Sequence, residues 1–258
     1  MQLTYLDNNS WLIETAGKRI LLDPWLVGSL VFGNLPWLFK GDRPEPVQIP
    51  ENIDLILLSQ GLEDHAHPPT LKKLEKSIPV VGSKGAAKLC RELGYKDVTS
   101  LSPQQTYTLA NKLEIIAFPG SPIGPTIVEN AYLLKDLETG TSLYYEPHGY
   151  HSPSLQGYAP IDVVITPLID LAIPFVGAII KGSQTSLDLV KMVQPQVILP
   201  TAAGGNVVFE GVLISVLRTV GSVEEFQQLL TANNLSTEVI EPKSGEAFTV
   251  KLQQRSFV

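Results

Sequence analysis

Asp54-Leu55-Ile56-Leu57-Leu58-Ser59-Gln60-Gly61-Leu62-Glu63-Asp64-His65-Ala66-His67 is the stretch on which the reading of this chain turns. Its first part is a short apolar run preceded by the breakers Pro50-Glu51, and such a run reads as a buried strand. Pro68-Pro69-Thr70 and the helix-like Leu71-Lys72-Lys73-Leu74 follow. Acidic and imidazole groups are thus packed into the turn between a buried strand and a helix. Loops held at strand ends by a rigid sheet are where chemistry tends to sit. The chain has 4 histidines, and His65 and His67 are two of them. The others, His148 and His151, lie just past a second strand-like run, Ser142-Leu143-Tyr144-Tyr145. Every histidine therefore follows one of two strands.

Composition narrows the class. At 258 residues the chain can bury a full core, and 44% hydrophobic with 17% charged residues describes a globular protein. A net charge of −7 without a Lys/Arg cluster argues against nucleic acid, which calls for a basic stripe. The single Cys90 excludes an internal disulfide and fits a reducing, cytoplasmic compartment; its helical surroundings, Ala86-Ala87-Lys88-Leu89-Cys90, suggest a buried inert thiol. The N-terminus shows no basic region followed by an apolar core, so no signal peptide is expected. The longest apolar run, Leu171 to Ile180, is about half the length of a membrane span and contains Pro174 and Gly177. No transmembrane segment is expected.

Outward from the central stretch, residues 2–23 read as three strands. Trp11-Leu12-Ile13-Glu14 and Arg19-Ile20-Leu21-Leu22 flank Ala16-Gly17-Lys18 as a hairpin that ends in Asp23-Pro24-Trp25. Residues 24–52 read as a long connection with a high apolar content, including Trp25, Leu30, Phe32, Trp37 and Phe39. Such residues need cover: the sheet edge, a second copy of the chain, or a ligand at the mouth of a site. Strand and helix then alternate through 78–99, as in β-α units. Strands follow at 107–109, 113–117, 129–134, 143–146, 161–165 and 197–199. Helices are expected over 186–193, 209–220 and 223–230, and strands at 238–240 and 247–250 close the chain. Gly204-Gly205-Asn206 reads as a tight turn or as an anion cradle before the 209–220 helix.

The central stretch resembles the metal-binding motif of the metallo-β-lactamase superfamily, Ser-His-x-His-x-Asp-His, which also follows a buried strand. Here Gln60 and Leu62 replace the first two histidines, while Asp64 and His65 remain. The chain is most similar to the ascorbate-6-phosphate lactonase-like branch, in which an Asp-Pro-Trp sequence ends an early hairpin. The resemblance implies one α+β domain over residues 1–258, a four-layer αββα sandwich. It also implies that Asp23 buttresses the metal loop, although Asp23-Pro24 fits an Asx-type turn as well. Where relatives carry further ligands, Phe118-Pro119-Gly120 leads to Ser121, and Pro200-Thr201-Ala202 offers Ala202. The family's dinuclear zinc site is therefore not expected.

The groups that remain set the expectations. In the position of the family's bridging aspartate stands His148, with Glu146 two residues earlier. Asp64, His65 and His148 would form a mononuclear site for zinc, iron or manganese; a hydrogen-bonded cluster with no metal is the other reading. Asp64, Glu146 and His151 are the expected catalytic and proton-moving groups. Asp23, Gln60, Glu63 and His67 are expected outside the ligands. Ser59 or Ser121 beside a histidine could form a nucleophile pair, but no Gly-x-Ser-x-Gly elbow is present. An apolar small molecule is expected against Trp25, Trp37, Ser121, Asp170 and Phe175, and the apolar 25–39 segment could join two copies. Two functions follow, a divergent metal-dependent hydrolase of esters or lactones and a non-catalytic binder using the old cleft.

Overall fold

The structure, a computed structural model, describes residues 1–123, 127–174, 177–202 and 204–253. The chain begins with an antiparallel meander, β1 (Gln2–Tyr5), β2 (Trp11–Thr15) and β3 (Lys18–Leu22). Thr15 pairs with Lys18, leaving Ala16 (φ 52) and Gly17 (φ 65) as a two-residue loop. Positive φ at both positions matches the twist of the flanking strands. Parallel strands β4 (Leu55–Leu58), β5 (Val80–Gly82) and β6 (Val98–Ser100) extend the sheet beyond β3.

The second half repeats this plan. An antiparallel set, β7 (Thr106–Leu109), β8 (Leu113–Ile123), β9 (Ile127–Asp136) and β10 (Ser142–Tyr145), leads to parallel β11 (Val163–Ile165), β12 (Val197–Leu199) and β13 (Glu238–Val239). β14 (Ala247–Thr249) returns to the first sheet beside β1, so each sheet has 7 strands.

Side-chain alternation sorts these strands into layers. Leu55 and Leu57 of β4 enter one cluster with Tyr132, Leu143, Tyr145 and Ile165 of the opposite sheet. Ile56 and Leu58 point the other way, onto Leu71 of α1 (Pro68–Lys73) and Ala86 and Cys90 of α2 (Lys84–Glu92). A strand buried on both faces needs no polar alternation, which is why the run is uniformly apolar. On the far side, Tyr144 and Val164 pack on Leu187 and Val190 of α3 (Ser183–Val193). Phe226 and Leu230 of the last helix, Val223–Ala232, join the same cluster. Helix, sheet, sheet and helix thus stack as the expected αββα sandwich. Each fully buried leucine or isoleucine contributes roughly 1.5–3 kcal/mol.

Two segments differ from expectation, and a third is placed only by the structure. The helix expected over 209–220 is instead a strand (Val208–Glu210), the short α4 (Val212–Val216) and another strand (Arg218–Val220), followed by Val223–Ala232 as α5. Gly211 breaks it: its φ is 113, and a Cβ there would meet the Leu38 carbonyl oxygen at 2.5 Å. The 24–52 connection is not structureless. Leu30–Val31 and Lys40–Asp42 pair, and Val208–Glu210 adds a third strand. Trp25, Leu30 and Phe39 are buried there against Phe209, Leu213 and Ile214, so the cover is the chain's own later segment. The described parts of the apolar 171–180 run lie in a small sheet, with Asp170–Ile173 pairing Gly177–Ile180 and Arg218–Val220. Among the described residues no helix is long and apolar enough to cross a membrane.

Candidate metal centre

β3 and β4 run parallel, so the residues following each are neighbours. Asp23, directly after β3, is fully buried, and its N–H donates to the Leu57 carbonyl at 3.0 Å. Its Oδ1 accepts the Ser59 N–H at 2.7 Å. Its Oδ2 accepts from the Ser59 hydroxyl, from His65 Nδ1 at 2.7 Å and from the Tyr145 hydroxyl at 2.7 Å. Tyr145 reaches it from the opposite sheet, on the inward face of β10. The carboxylate thus fixes the start of the metal-type loop and the tautomer of its histidine.

The other ring nitrogen, His65 Nε2, lies 3.1 Å from Asp64 Oδ2 and 3.2 Å from Asn9 Nδ2. Burial alone would lower the His65 pKa, but Asp64 and Asp23 together outweigh it and raise it to about 10. Burial likewise acts against the Asp64 charge, yet His65 and His148 hold that carboxyl below its usual value.

His148 arrives from the second sheet. Glu146, directly after β10, is fully buried, and its Oε2 accepts the backbone N–H of His148 at 3.0 Å, of Gly149, and of Tyr150 at 2.8 Å. Three donors on one oxygen fold residues 147–150 around the side chain. Burial raises the Glu146 carboxyl to about 7 against the opposing pull of those donors. The Lys181 N–H donates to the His148 carbonyl at 2.9 Å, and a Cβ on Gly149 would sit 1.6 Å from the Lys181 oxygen, so only glycine fits there. The loop presents the His148 ring 5.1 Å from that of His65, centroid to centroid. Burial, then the His65 charge, lowers the His148 pKa to about 4 and keeps its imidazole neutral.

One donor atom each from Asp64, His65 and His148 fall within 4.8 Å of one another. Asp64 Oδ1 and His148 Nδ1 are buried without a hydrogen-bond partner, a costly state for polar atoms unless something else occupies the space between them. One carboxylate and two imidazoles, with the second nitrogen of His65 held by a carboxylate, are a donor set that suits zinc or iron(II). The residues present fit one ion.

The other expected site residues are dispersed. Gln60 is buried beside the triad loop, with Oε1 unpartnered. Glu63 points outward and accepts the Gly33 N–H at 3.3 Å. His67 caps α1: its Nδ1 lies 3.0 Å from Thr70 Oγ1, and its Nε2 donates to the Ser29 carbonyl at 3.2 Å. His151 packs its ring 5.9 Å from that of Tyr144, on the outward face of β10, so it stands across the strand from Tyr145 and Asp23. Asp170 accepts the Gly182 N–H and ties down its small sheet. Ser121 lies in β8 beside the register shift between Pro119 and Pro122. Trp25 is 0% exposed and Trp37 is 63% exposed, so they do not share a wall. Phe175 lies outside the described residues.

Three residues at the site carried no advance signal. Asn9 sits in a turn, Tyr145 reads as an ordinary strand residue, and Glu129 lies within β9. The late Pro200-Thr201-Ala202 segment abuts the same Asn8–Asn9 turn, with the Ala202 N–H donating to the Asn8 carbonyl at 3.0 Å. Gly204-Gly205-Asn206 is a turn onto Asp7, whose Oδ1 accepts the Asn206 N–H at 3.0 Å, and a strand follows it, not a helix.

Residues 2–202 match the beta-lactamase superfamily domain. The chain belongs to that superfamily. Solved structures agree in architecture. An isothiocyanate hydrolase from Delia radicum gut bacteria superposes with a TM-score of 0.69 at 17% identity, covering 98% of this chain and 100% of that one. A metal-dependent hydrolase candidate from Veillonella parvula gives a TM-score of 0.70 at 13% identity, covering 97% of this chain and 99% of that one. Identity at this level shows the fold alone. Among curated proteins, the cytidine monophosphate-N-acetylneuraminic acid hydroxylase of Cricetulus griseus is 33% identical over 79 residues, 31% of this chain and 14% of that enzyme. The shared part is a small fraction of that protein.

Proposed function

We propose that the chain is a divergent mononuclear metal-dependent hydrolase acting on an ester or lactone group of a rather apolar small molecule. The observation that carries this reading is the convergence of Asp64, His65 and His148 donor atoms within 4.8 Å, with two of those side chains holding unpartnered buried atoms. Asp64, His65 through Nε2 and His148 would hold the ion, and zinc, iron(II) or manganese are the candidates. When bound, such an ion supplies a Lewis acid and an acidified water.

The chain's own residues do the rest. Asp23 orients the His65 ring through Nδ1 and leaves Nε2 facing the centre. Glu146 sets the 147–150 loop through Oε2 and keeps its buried Oε1 unpartnered, so Oε1 is the oxygen assigned to accept and return a proton. His151 is not assigned that role, because its ring lies against Tyr144. The apolar preference rests on exposed Trp37, Leu62 and Val212. Val212 donates its N–H to the Trp37 carbonyl at 3.1 Å, so these two are adjacent.

Leu62 is the observation that favours the second reading, a non-catalytic binder. It stands where relatives carry a histidine, cannot ligate, and is 40% exposed. Metal content separates the two. Protein purified without chelator or histidine tag should carry about one equivalent of zinc, iron or manganese by mass spectrometry, lost in Asp64→Ala. Esters and lactones should then be screened as substrates. Protein that stays metal-free after reconstitution would leave the binder.

A further inference from the structure

Surface turns are usually polar, because their residues face water. Leu35-Pro36-Trp37-Leu38 is a turn closed by the Leu38 N–H on the Leu35 carbonyl at 2.9 Å, and it is apolar throughout. Leu35 is 40% and Trp37 63% exposed. The Val212 N–H donates to the Trp37 carbonyl at 3.1 Å, which seats α4 beside the turn. α4 packs Leu213 and Ile214 onto the cluster of Trp25, Leu30 and Phe39. Its Val212 and Val216, one helical turn apart, stay in solvent. No residue between Asp23 and Lys40 is charged, and none between Glu210 and Arg218. The exposed face is therefore built from two uncharged segments, each followed by a cation. It borders the triad loop, because Glu63 accepts the Gly33 N–H at 3.3 Å and Leu62 beside it is exposed.

Size and charge choose the occupant. A stable dimer buries about 800 Å² and roughly 20–30 residues on each partner. Leu35, Trp37, Val212 and Val216 fall far short of that, even with Leu62 and Val208 from the adjoining loop and strand. Two chains of net charge −7 also repel each other. A lipid surface asks for less. Tryptophan settles between headgroups and acyl chains, aliphatic neighbours go deeper, and Lys or Arg stems reach back to water. The net negative charge gives no general attraction to anionic lipid, so the contact has to be apolar.

We propose that Leu35, Trp37, Val212 and Val216 dock the protein on a zwitterionic lipid surface by shallow insertion, beside the triad loop. Attachment is peripheral, since no described helix is long and apolar enough to cross a membrane. On the hydrolase reading, an apolar ester dissolved in the bilayer would reach the site from there. That consequence rests on the reading; the docking itself needs neither metal nor substrate, and its test is independent of both.

Trp11 and Trp25 are 0% exposed, so of the 3 tryptophans Trp37 alone reports on the surface. The protein is mixed with phosphatidylcholine vesicles, and co-sedimentation and tryptophan emission are followed. Emission should shift to the blue, be quenched by lipid brominated on its acyl chains, and change little from low to high salt. Trp37→Ala and, independently, Val212→Asp should bind vesicles at least tenfold more weakly, with unchanged circular dichroism. No co-sedimentation, unquenched emission, full binding by both variants, or binding only to anionic vesicles and lost in salt would overturn the proposal. So would a blue shift that grows with protein concentration without vesicles, accompanied by a dimer in analytical ultracentrifugation, because the occupant would then be a second copy.

Discussion

The Asp23 carboxylate accepts His65 Nδ1–H at 2.7 Å, and neither side chain is exposed. Through that bond a residue following β3 decides which nitrogen of a residue in the β4 loop faces the site. Asp23→Asn keeps the shape but replaces a charge-assisted acceptor with an amide. Zinc affinity, measured by competition with a chelating dye, should fall about 10–100-fold, the usual effect of losing an outer partner of a ligating histidine. Asp23→Ala should also lower folding stability by at least about 3 kcal/mol. It strands the Ser59, Tyr145 and His65 donors, each costing roughly 1–3 kcal/mol when buried alone. Unchanged zinc affinity in Asp23→Asn would mean that the carboxylate serves folding only.

His148 and His151 are three residues apart in sequence but lie on different sides of β10. His148 faces His65, and His151 faces Tyr144. His148→Ala should therefore abolish stoichiometric metal retention, and His151→Ala should leave it within twofold of the wild type. Elemental analysis of both purified variants checks this. Retained metal in His148→Ala would exclude the triad.

The buried strand Leu55–Leu58 was legible for a physical reason, because a strand buried on both faces must be uniformly apolar. The sandwich and the meeting of Asp64, His65 and His148 were legible only through the resemblance to the superfamily, which places His148 where relatives carry an aspartate. Strand-end placement alone said that each histidine is held by a sheet, not that the two would meet. Residues whose role depends on long-range packing were not legible. Trp25 and Trp37 look alike within one apolar segment, yet Phe209, more than 150 residues later, covers the first and not the second. His151 sits at a period of the chain that the turn at 147–150 determines, and that turn is shaped by Glu146 receiving three backbone donors. Glu129 is one of several polar residues in the 10-residue strand β9, opposite the register shift between Pro119 and Pro122, which no local pattern marks out. The 209–220 periodicity was misleading because Gly211 must approach Leu38, a contact that no local pattern encodes.

Burial pushes the His151 pKa down to about 3 from an ordinary 6.5. A folded-state value below the unfolded one means that the unfolded chain takes up the proton first. Stability should therefore fall as pH drops below about 6.5 and continue falling until the folded form also protonates near 3. His151→Gln should flatten part of that slope. Urea unfolding at pH 7 and pH 5 measures it: the wild type should lose on the order of 1–2 kcal/mol more than the variant across that interval. Equal losses would show that His151 is solvated in the folded state.

The two tryptophans of the 25–39 segment give the sharpest contrast in stability. Trp25 is fully buried: its ring lies 6.4 Å from Phe209 and 6.1 Å from His67, the Arg43 guanidinium stacks 4.7 Å from its centroid, and its Nε1–H donates to the Gly28 carbonyl at 2.9 Å. Arg43 in turn donates to the Asp7 carboxylate at 2.7 Å and to the Leu6 and Trp25 carbonyls, which holds its guanidinium over the ring. Trp25→Ala should cost about 3–5 kcal/mol, the range for removing a large aromatic side chain from a core. Trp37→Ala should stay within about 0.5 kcal/mol, as surface changes do. If a ligand uses the exposed rim, that second variant should instead weaken ligand binding or raise KM at unchanged folding stability. Chemical denaturation of both variants, followed by titration with hydrophobic esters, separates the residue that holds the segment in place from the one that faces the solvent.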